Sequence, residues 1–276
     1  MKIRNFLVLV TLFLAAATHA AVVVISTPTT QAVEFDGTGN VNYDRATVSV
    51  DGGEAANIGG GDFTWEMWLK PTSANNNTGS TFADANIFAD RDNFQGATGG
   101  EYIFSILNDT LHVSLSPTTG SLSYDEFEAT TAINDNQWHF IAITYDFSTG
   151  DVQAYIDGTR EINGTASNSG TLAYVSGGSA GDLILELGGE KHEAGADLGY
   201  FGRISETRIS DTIRYSGTTH TVPTAQMTDD ADTIVLWRFD EGSGTIVENS
   251  AGADSDLTLI LNSGSAPPRW VNDSPY

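Results

Sequence analysis

The sequence predicts an all-β chain, a two-layer antiparallel sandwich of short strands around one core. Three observations predict it. Apolar and polar residues alternate in run after run, the period of a strand with one buried face. Glycine is abundant at 29 of 276 residues, and serine, threonine, asparagine and aspartate fill the gaps between apolar runs. That is the composition of frequent turns. Outside the N-terminal segment no stretch holds a 3.6-residue apolar period, and no repeat of about 20–50 residues is visible. All-β sandwiches of this length are routinely single domains.

The elements follow in chain order. Met1-Lys2-Ile3-Arg4 is positive, residues 6–17 are apolar, and small residues lead to Ala20. Residues 1–20 are therefore expected to be a secretory signal peptide, cleaved after Ala20, with Ala17 as the alternative position. The apolar run is shorter than the roughly 20 residues that span a bilayer. Residues 21–31 read as a linker and 32–276 as the folded domain. The first strand is expected at Ala32–Asp36. In residues 63–71, Phe63, Trp65, Met67 and Leu69 share one face while Thr64, Glu66, Trp68 and Lys70 share the other, and Pro71 ends the run. A strand at 87–90 follows. Strands at 102–107 and 111–115 flank Asn108-Asp109-Thr110, a hairpin turn. A long, mostly apolar strand covers 138–145. Another at 152–156 meets Asp157-Gly158, a strong hairpin signal. Further strands are expected at 183–187, 202–209 and 234–239. Residues 75–84 and 188–199 read as long loops, which in small domains are commonly functional. Trp270 is expected to pack back onto the body.

Composition excludes several chemistries. With no cysteine there is no thiol nucleophile, no zinc–thiolate site, no disulfide and no lipid-bearing cysteine. The predicted compartment is therefore secreted or periplasmic, without a membrane anchor. Twelve basic residues against 36 acidic ones leave a formal charge of −24, which makes nucleic acid and anionic membranes poor partners. The acids have three readings: solvation in salty water, calcium held between carboxylates, or a preference for neutral or cationic ligands.

Five segments, in order, resemble the laminin-G-like domains of the concanavalin A-like lectin/glucanase superfamily, in its bacterial secreted branch. They are Ala32-Val33-Glu34-Phe35-Asp36-Gly37, then residues 63–71 (FTWEMWLKP), then Trp138-His139 with Thr144-Tyr145-Asp146 and Tyr155-Ile156-Asp157-Gly158. Tyr200-Phe201-Gly202-Arg203-Ile204 and residues 236–244 (LWRFDEGSG) complete the set. The likeness covers essentially the whole of residues 32–276. One departure is Ser205-Glu206, where the family often has Asp-Glu. The resemblance implies a jelly-roll sandwich with one concave sheet able to hold a glycan. It does not choose among lectins, adhesive modules and glucanases, because fold alone does not decide function.

The candidate residues follow from these readings. The glucanases of this fold carry three acids on one strand face, E-x-D-x-x-E, and no such strand is present here. The nearest acids, Glu126 with Glu128, Glu34 with Asp36, and Asp254 with Asp256, read as turn and surface groups. A retaining glycosidase needs carboxyls about 5 Å apart on one face, so no catalytic residue is assigned and an enzyme is not expected. For sugar binding, which stacks rings and reads hydroxyls, the candidates are Trp68, Tyr102, Tyr124, Tyr200 and the loop residue His192. Trp65, Trp138 and Trp237 read as structural, and Trp65, Phe140, Ile156, Ile204 and Trp237 as core. For calcium, the resemblance to pentraxin-like relatives points to Asp92, Asn93 and Glu190, with Lys191 and His192 standing where further oxygens would be wanted. The expected function is a secreted, non-catalytic binding module for a carbohydrate or glycosylated surface, with calcium as a candidate cofactor. Two alternatives are a glycan hydrolase or lyase, and a structural or adhesive surface protein that contacts other proteins.

Overall fold

The computed structural model describes residues 31–37, 44–50, 56–72, 76, 85–91, 100–117, 124–167, 170–173, 184–189, 199–252, 258–262 and 268–276. Among them all regular structure is strand. The strands are β1 (Ala32–Asp36), β2 (Arg45–Ser49), β3 (Phe63–Pro71), β4 (Asn86–Arg91), β5 (Glu101–Leu107) and β6 (Thr110–Ser116). Then come β7 (Asp125–Ala132), β8 (His139–Tyr145), β9 (Asp151–Ile156), β10 (Thr159–Thr165), β11 (Ile184–Leu187) and β12 (Phe201–Ser210). The last four are β13 (Thr233–Trp237), β14 (Ile246–Val247), β15 (Leu259–Asn262) and β16 (Arg269–Val271).

They form two antiparallel sheets. The first runs β10-β9-β8-β3-β12-β1-β16, with β13 beside the far half of β12. The second runs β14-β15-β2-β11-β4-β5-β6-β7. Hairpin neighbours alternate in each sheet with pairs distant in sequence, such as β3-β12, β12-β1 and β2-β11, as in a jelly roll. The hairpin turns are those the sequence marks. Asn108 and Asp109 have φ of 52° and 68°, and Asp157 and Gly158 have φ of 49° and 80°. Consecutive positive φ angles match the twist of a tight hairpin. At Gly158 a Cβ would stand 2.5 Å from the His220 carbonyl oxygen, so no larger residue fits.

Alternation decides what each strand buries. Phe63, Trp65, Met67 and Leu69 point into the space between the sheets, where they meet Tyr102, Phe104 and Ile106 of β5. Trp65 sits edge-on to Phe104, ring centroids 5.6 Å apart, a favoured arrangement for aromatic pairs. Trp65, Ile156, Ile204 and Trp237 belong to this core as expected. Phe140 is fully buried too, but in a second cluster on the opposite face of the first sheet. There it packs with Trp68, Tyr155, Leu236 and Met227.

That outward face is covered because residues 211–232 lie across it. Glu66, which alternation turns outward, is fully buried. It accepts from Arg208 Nε at 2.6 Å and Nη2 at 2.8 Å, and from the Tyr215 hydroxyl at 2.6 Å. A buried carboxylate is tolerated only with such partners. The sheets are also stitched along one side. Glu161 of β10 accepts from the Thr130 and Thr131 hydroxyls of β7 at 2.8 and 2.9 Å.

Candidate ligand-binding site

An open cleft of about 350 Å³ lies at one end of the first sheet, lined by Glu34, Phe35, Asp36, Thr72, Asn136, Phe201 and Arg203. Strand pairing builds it. Asp36 is opposite Phe201, and Gly202 is opposite Pro71, so the ends of β1, β12 and β3 lie side by side. The turn before β8 closes the third side, where the Asn136 amide donates to the Pro71 carbonyl at 3.0 Å. Inward Phe35 and Ile204 anchor the strands in the core. Glu34, Asp36, Phe201 and Arg203, at the alternate positions, turn outward into the cleft.

The rim is held by Asn76. Its side-chain oxygen accepts from the Phe201 amide at 2.8 Å, and its amide nitrogen donates to the Phe201 carbonyl. The Thr72 amide donates to that same carbonyl at 2.9 Å, and Asn134 Nδ2 donates to the Asn76 carbonyl at 3.2 Å. The Phe201 ring is half-buried. It leans on Gly37, where φ is +56° and a Cβ would approach the ring to 2.5 Å. Gly37 is needed both for that backbone angle and for the ring's position.

The charges around the cleft form a ladder. Arg203 Nε donates to Glu34 at 2.9 Å and Arg203 also pairs with Asp273. Lys70 Nζ donates to Asp273 at 3.0 Å, and Arg269 Nε to Glu34 at 3.0 Å. Burial works against the Glu34 charge, but Arg269 and Arg203 outweigh it and hold the carboxyl below its ordinary pKa. Asp36 is exposed and abuts the buried Asp44. Burial first, and then the Asp36 carboxylate, push the Asp44 pKa up to about 7. The cleft thus offers a ring face, an amide, hydroxyl and carboxylate acceptors, and one oriented guanidinium.

The candidates from sequence are placed differently. Tyr102 and Tyr200 have no exposed surface. Tyr102 stands on the inward side of β5 against Trp65 and Phe104, and Tyr200 packs on Phe35 and Phe88. Both are core aromatics, because their alternation phase turns them inward, so the expected ligand contact is corrected. Trp68 does face outward. It is nevertheless only 7% exposed, because Phe140 lies 5.2 Å and Tyr276 5.8 Å from it, centroid to centroid. Tyr124 is half-buried and its hydroxyl donates to Glu101. His192, Asp92, Asn93 and Glu190 lie outside the described residues. Among the described residues no group of three or more acidic, histidine or cysteine side chains is arranged to hold a metal ion.

From the sequence, Phe201 stands only in a fold motif, and Glu34 with Asp36 stand in a fold motif and as an acid pair read as a surface group, not as a binding site. The signal for a site was their outward phase at strand ends that pair. That pairing is not written in any one segment.

A laminin-G-type sequence profile described as the Concanavalin A-like lectin/glucanases superfamily matches residues 44–216. No curated protein matches the chain. Among solved structures, the chain is similar to a Bacteroides ovatus protein described as a candidate carbohydrate binding protein. The identity is 16% and the TM-score 0.52, over 86% of this chain and 61% of that one. The chain thus spans about three fifths of that protein's length. It is also similar to the CBM40 of the Ruminococcus gnavus IT-sialidase, at 15% identity and TM-score 0.48, over 68% of this chain and 95% of that one. A third is the heptameric SAP-like pentraxin of Limulus polyphemus, at 16% identity and TM-score 0.45, over 67% of this chain and 77% of that one. The profile covers well over half of a chain whose two sheets have the matching architecture, and the protein belongs to the Concanavalin A-like lectin/glucanases superfamily.

Proposed function

We propose that the protein is a secreted or periplasmic, non-catalytic binding module whose ligand is a carbohydrate or a glycosylated surface, taken at the cleft around Phe201. The observation that carries this reading is the cleft's chemistry. A half-buried ring stands beside Asp36, Asn136, Thr72 and Arg203 in an open cavity of about 350 Å³. A pyranose presents a C–H face to a ring and hydroxyls to polar groups at its edge, and a pre-built site loses little freedom on binding. The two acids nearest the cleft are already committed, Glu34 to Arg203 and Arg269 and Asp36 to Asp44, which suits recognition better than proton transfer. The sugar binding ascribed to the Bacteroides ovatus neighbour agrees with this reading, although that likeness itself speaks only to fold.

A glycan array tests it. The protein is expected to retain a defined set of neutral glycans, and Phe201→Ala is expected to weaken binding about tenfold, near 1.4 kcal/mol. The thermal melt should be nearly unchanged. No glycan bound by the natural protein, or equal binding by Phe201→Ala, overturns the assignment. Sugar released from a polysaccharide panel would replace it with an enzyme.

Calcium held by Asp92, Asn93 and Glu190 is part of the same proposal and rests on the sequence. Calcium at a hundredfold excess over its dissociation constant is expected to stabilise the fold by about 2.7 kcal/mol. That shift should vanish with chelator and with Asp92→Ala. An unchanged melt with and without calcium removes the ion from the proposal.

A further inference from the structure

A second cavity, of about 220 Å³, opens at the opposite end of the first sheet. Phe63, which lines it, begins β3, and Pro71 beside the Phe201 cleft ends that strand. The two cavities are therefore about 27 Å apart along the strand. The floor is apolar, made by the buried Ile58 and Phe63 and by Ile234 of β13, which is half-buried against the core. The rim carries Asp62, just before β3, and Asp211, just after β12, and both are exposed. Asp62 Oδ1 accepts from the Phe147 amide at 3.0 Å. The Asp211 amide donates to the Asp232 carbonyl at 3.0 Å, while its carboxylate has no partner among the described residues. No lysine or arginine is among the lining residues.

The wall of this cavity is the run Gly59-Gly60-Gly61. Gly59 is required by the fold, since its φ is +92° and a Cβ would stand 2.6 Å from Leu172 Cβ. Its carbonyl accepts from the Leu172 amide at 2.9 Å and the Thr171 hydroxyl at 3.2 Å, which pins the loop. Gly60 and Gly61 have no such reason to be glycine. Neither has a positive φ. A Cβ on Gly60 would make an ordinary contact 3.6 Å from Ala173 Cβ, and one on Gly61 would meet nothing within 4 Å. Backbone and packing would accept larger residues at both positions, and glycine loses more conformational freedom on folding than they would. The missing side chains leave a bay in the wall. That bay, which owes nothing to the acids, is space kept for an occupant.

We propose that this cavity takes an alkylammonium group, a short hydrocarbon chain ending in a primary amine, as in an aliphatic diamine or a lysine side chain. The hydrocarbon lies on Ile58, Phe63 and Ile234, in the bay that Gly60 and Gly61 leave open. The ammonium meets the Asp211 carboxylate and the second oxygen of Asp62. Hydrogen bonds between charged groups are the strong ones, and an apolar floor that excludes water strengthens them further. A bare divalent cation fits less well, because it wants about six to eight oxygens and leaves the apolar floor unused. A neutral chain would fill the bay but leave both carboxylates without a partner. The excess negative charge of the chain draws the same ligand by long-range attraction.

The test does not depend on the Phe201 cleft. Titration calorimetry on the whole chain at neutral pH compares cadaverine with pentanediol, which has the same chain and no charge. The diamine is expected to bind at least about tenfold more tightly. Asp211→Asn is expected to remove that preference. Gly61→Leu, which fills the bay, is expected to abolish binding at an unchanged thermal melt, and Phe201→Ala is expected to retain it. A lysine with both backbone ends blocked separates the two sources. Binding equal to that of cadaverine assigns the site to a lysine side chain, and weaker binding assigns it to a free diamine that engages both carboxylates. No binding of either amine, equal binding of the diol, or full binding by Gly61→Leu overturns the proposal. So does an equal loss from Glu126→Gln with Glu128→Gln on the other sheet, which would show unspecific attraction of a cation. Displacement of cadaverine by equimolar calcium would replace the amine with a metal ion.

Discussion

Two single residues set how stability responds to pH. His139 is buried between two carboxylates, with Nδ1 2.7 Å from Asp157 and Nε2 3.0 Å from Asp135. Burial opposes the charged ring, but the hydrogen bonds to Asp157 and Asp135 win and raise its pKa above 6.5. A group whose folded pKa is raised adds stability that is complete below the unfolded value and lost as pH rises through the folded one. Both acids are about half exposed, so the term is screened. Urea unfolding should show His139→Gln costing roughly 1–2 kcal/mol at pH 5 and progressively less toward pH 9. A cost that is flat with pH would contradict the charged-ring assignment. Asp44 works in the same direction for a different reason. Its folded pKa of about 7 exceeds the ordinary 3.8, so the folded state holds a proton that the unfolded chain has released. Stability is lost as pH rises from about 4 through 7. Asp44→Asn should be near neutral at pH 4 and stabilising by roughly 1–3 kcal/mol at pH 8, discounted because Asp36 is in water. A variant less stable than the natural protein at pH 8 would refute the shared-proton reading.

At the scale of elements, the segment after β16 behaves as a strap. Asp273 is held by Lys70, Arg203 and the Trp138 indole N–H. The Tyr276 hydroxyl donates to Glu206 at 2.6 Å and accepts from the Trp68 indole at 2.9 Å. Glu206 is nearly fully buried, so burial raises its pKa even with Tyr276 and Arg238 beside it. Removing residues 273–276 is expected to uncover Trp68, red-shift tryptophan emission and destabilise by about 2–4 kcal/mol, since a buried carboxylate loses a donor. An unshifted spectrum and melt would mean that the strap is not seated in solution. The strap also shows where sequence reading ends. Strands with strong alternation, such as β3, β5, β8 and β12, were legible to within a residue or so. Asp125–Ala132 and Thr159–Thr165 were not, because edge strands that are mostly half-exposed or polar carry no apolar period. Trp68 was legible as outward-facing, but its cover comes from a tail 208 residues away. The cleft was opaque for the same reason, since Asp36, Thr72, Asn136 and Phe201 meet only through long-range pairing.

The whole molecule is organised by where its few cations go. Described basic side chains are drawn into internal pairs: Arg45 with Glu186, Lys70 with Asp273, Arg208 with Glu66, Arg214 with Asp230, Arg238 with Glu206, and Arg203 and Arg269 with Glu34. These cations fasten the outward faces of the sheets instead of balancing the surface. The excess of 36 acids over 12 bases is therefore left facing solvent, where it repels itself and opposes the folded state. Salt acts on the two populations unequally. Exposed acids separated by more than the screening length, about 30 Å at 0.01 M and 8 Å at 0.15 M, are relieved of repulsion. The internal pairs sit at contact distance with partly buried partners and are screened much less. Repulsion should lose more than attraction, so the melting temperature should climb steadily between 10 mM and 500 mM sodium chloride at pH 8. Sodium chloride is to be compared with an equal concentration of a neutral osmolyte, to separate charge screening from exclusion at the surface. A melting temperature that stays level or falls with salt would mean that the internal ion pairs, not the surface acids, dominate the electrostatics of this fold.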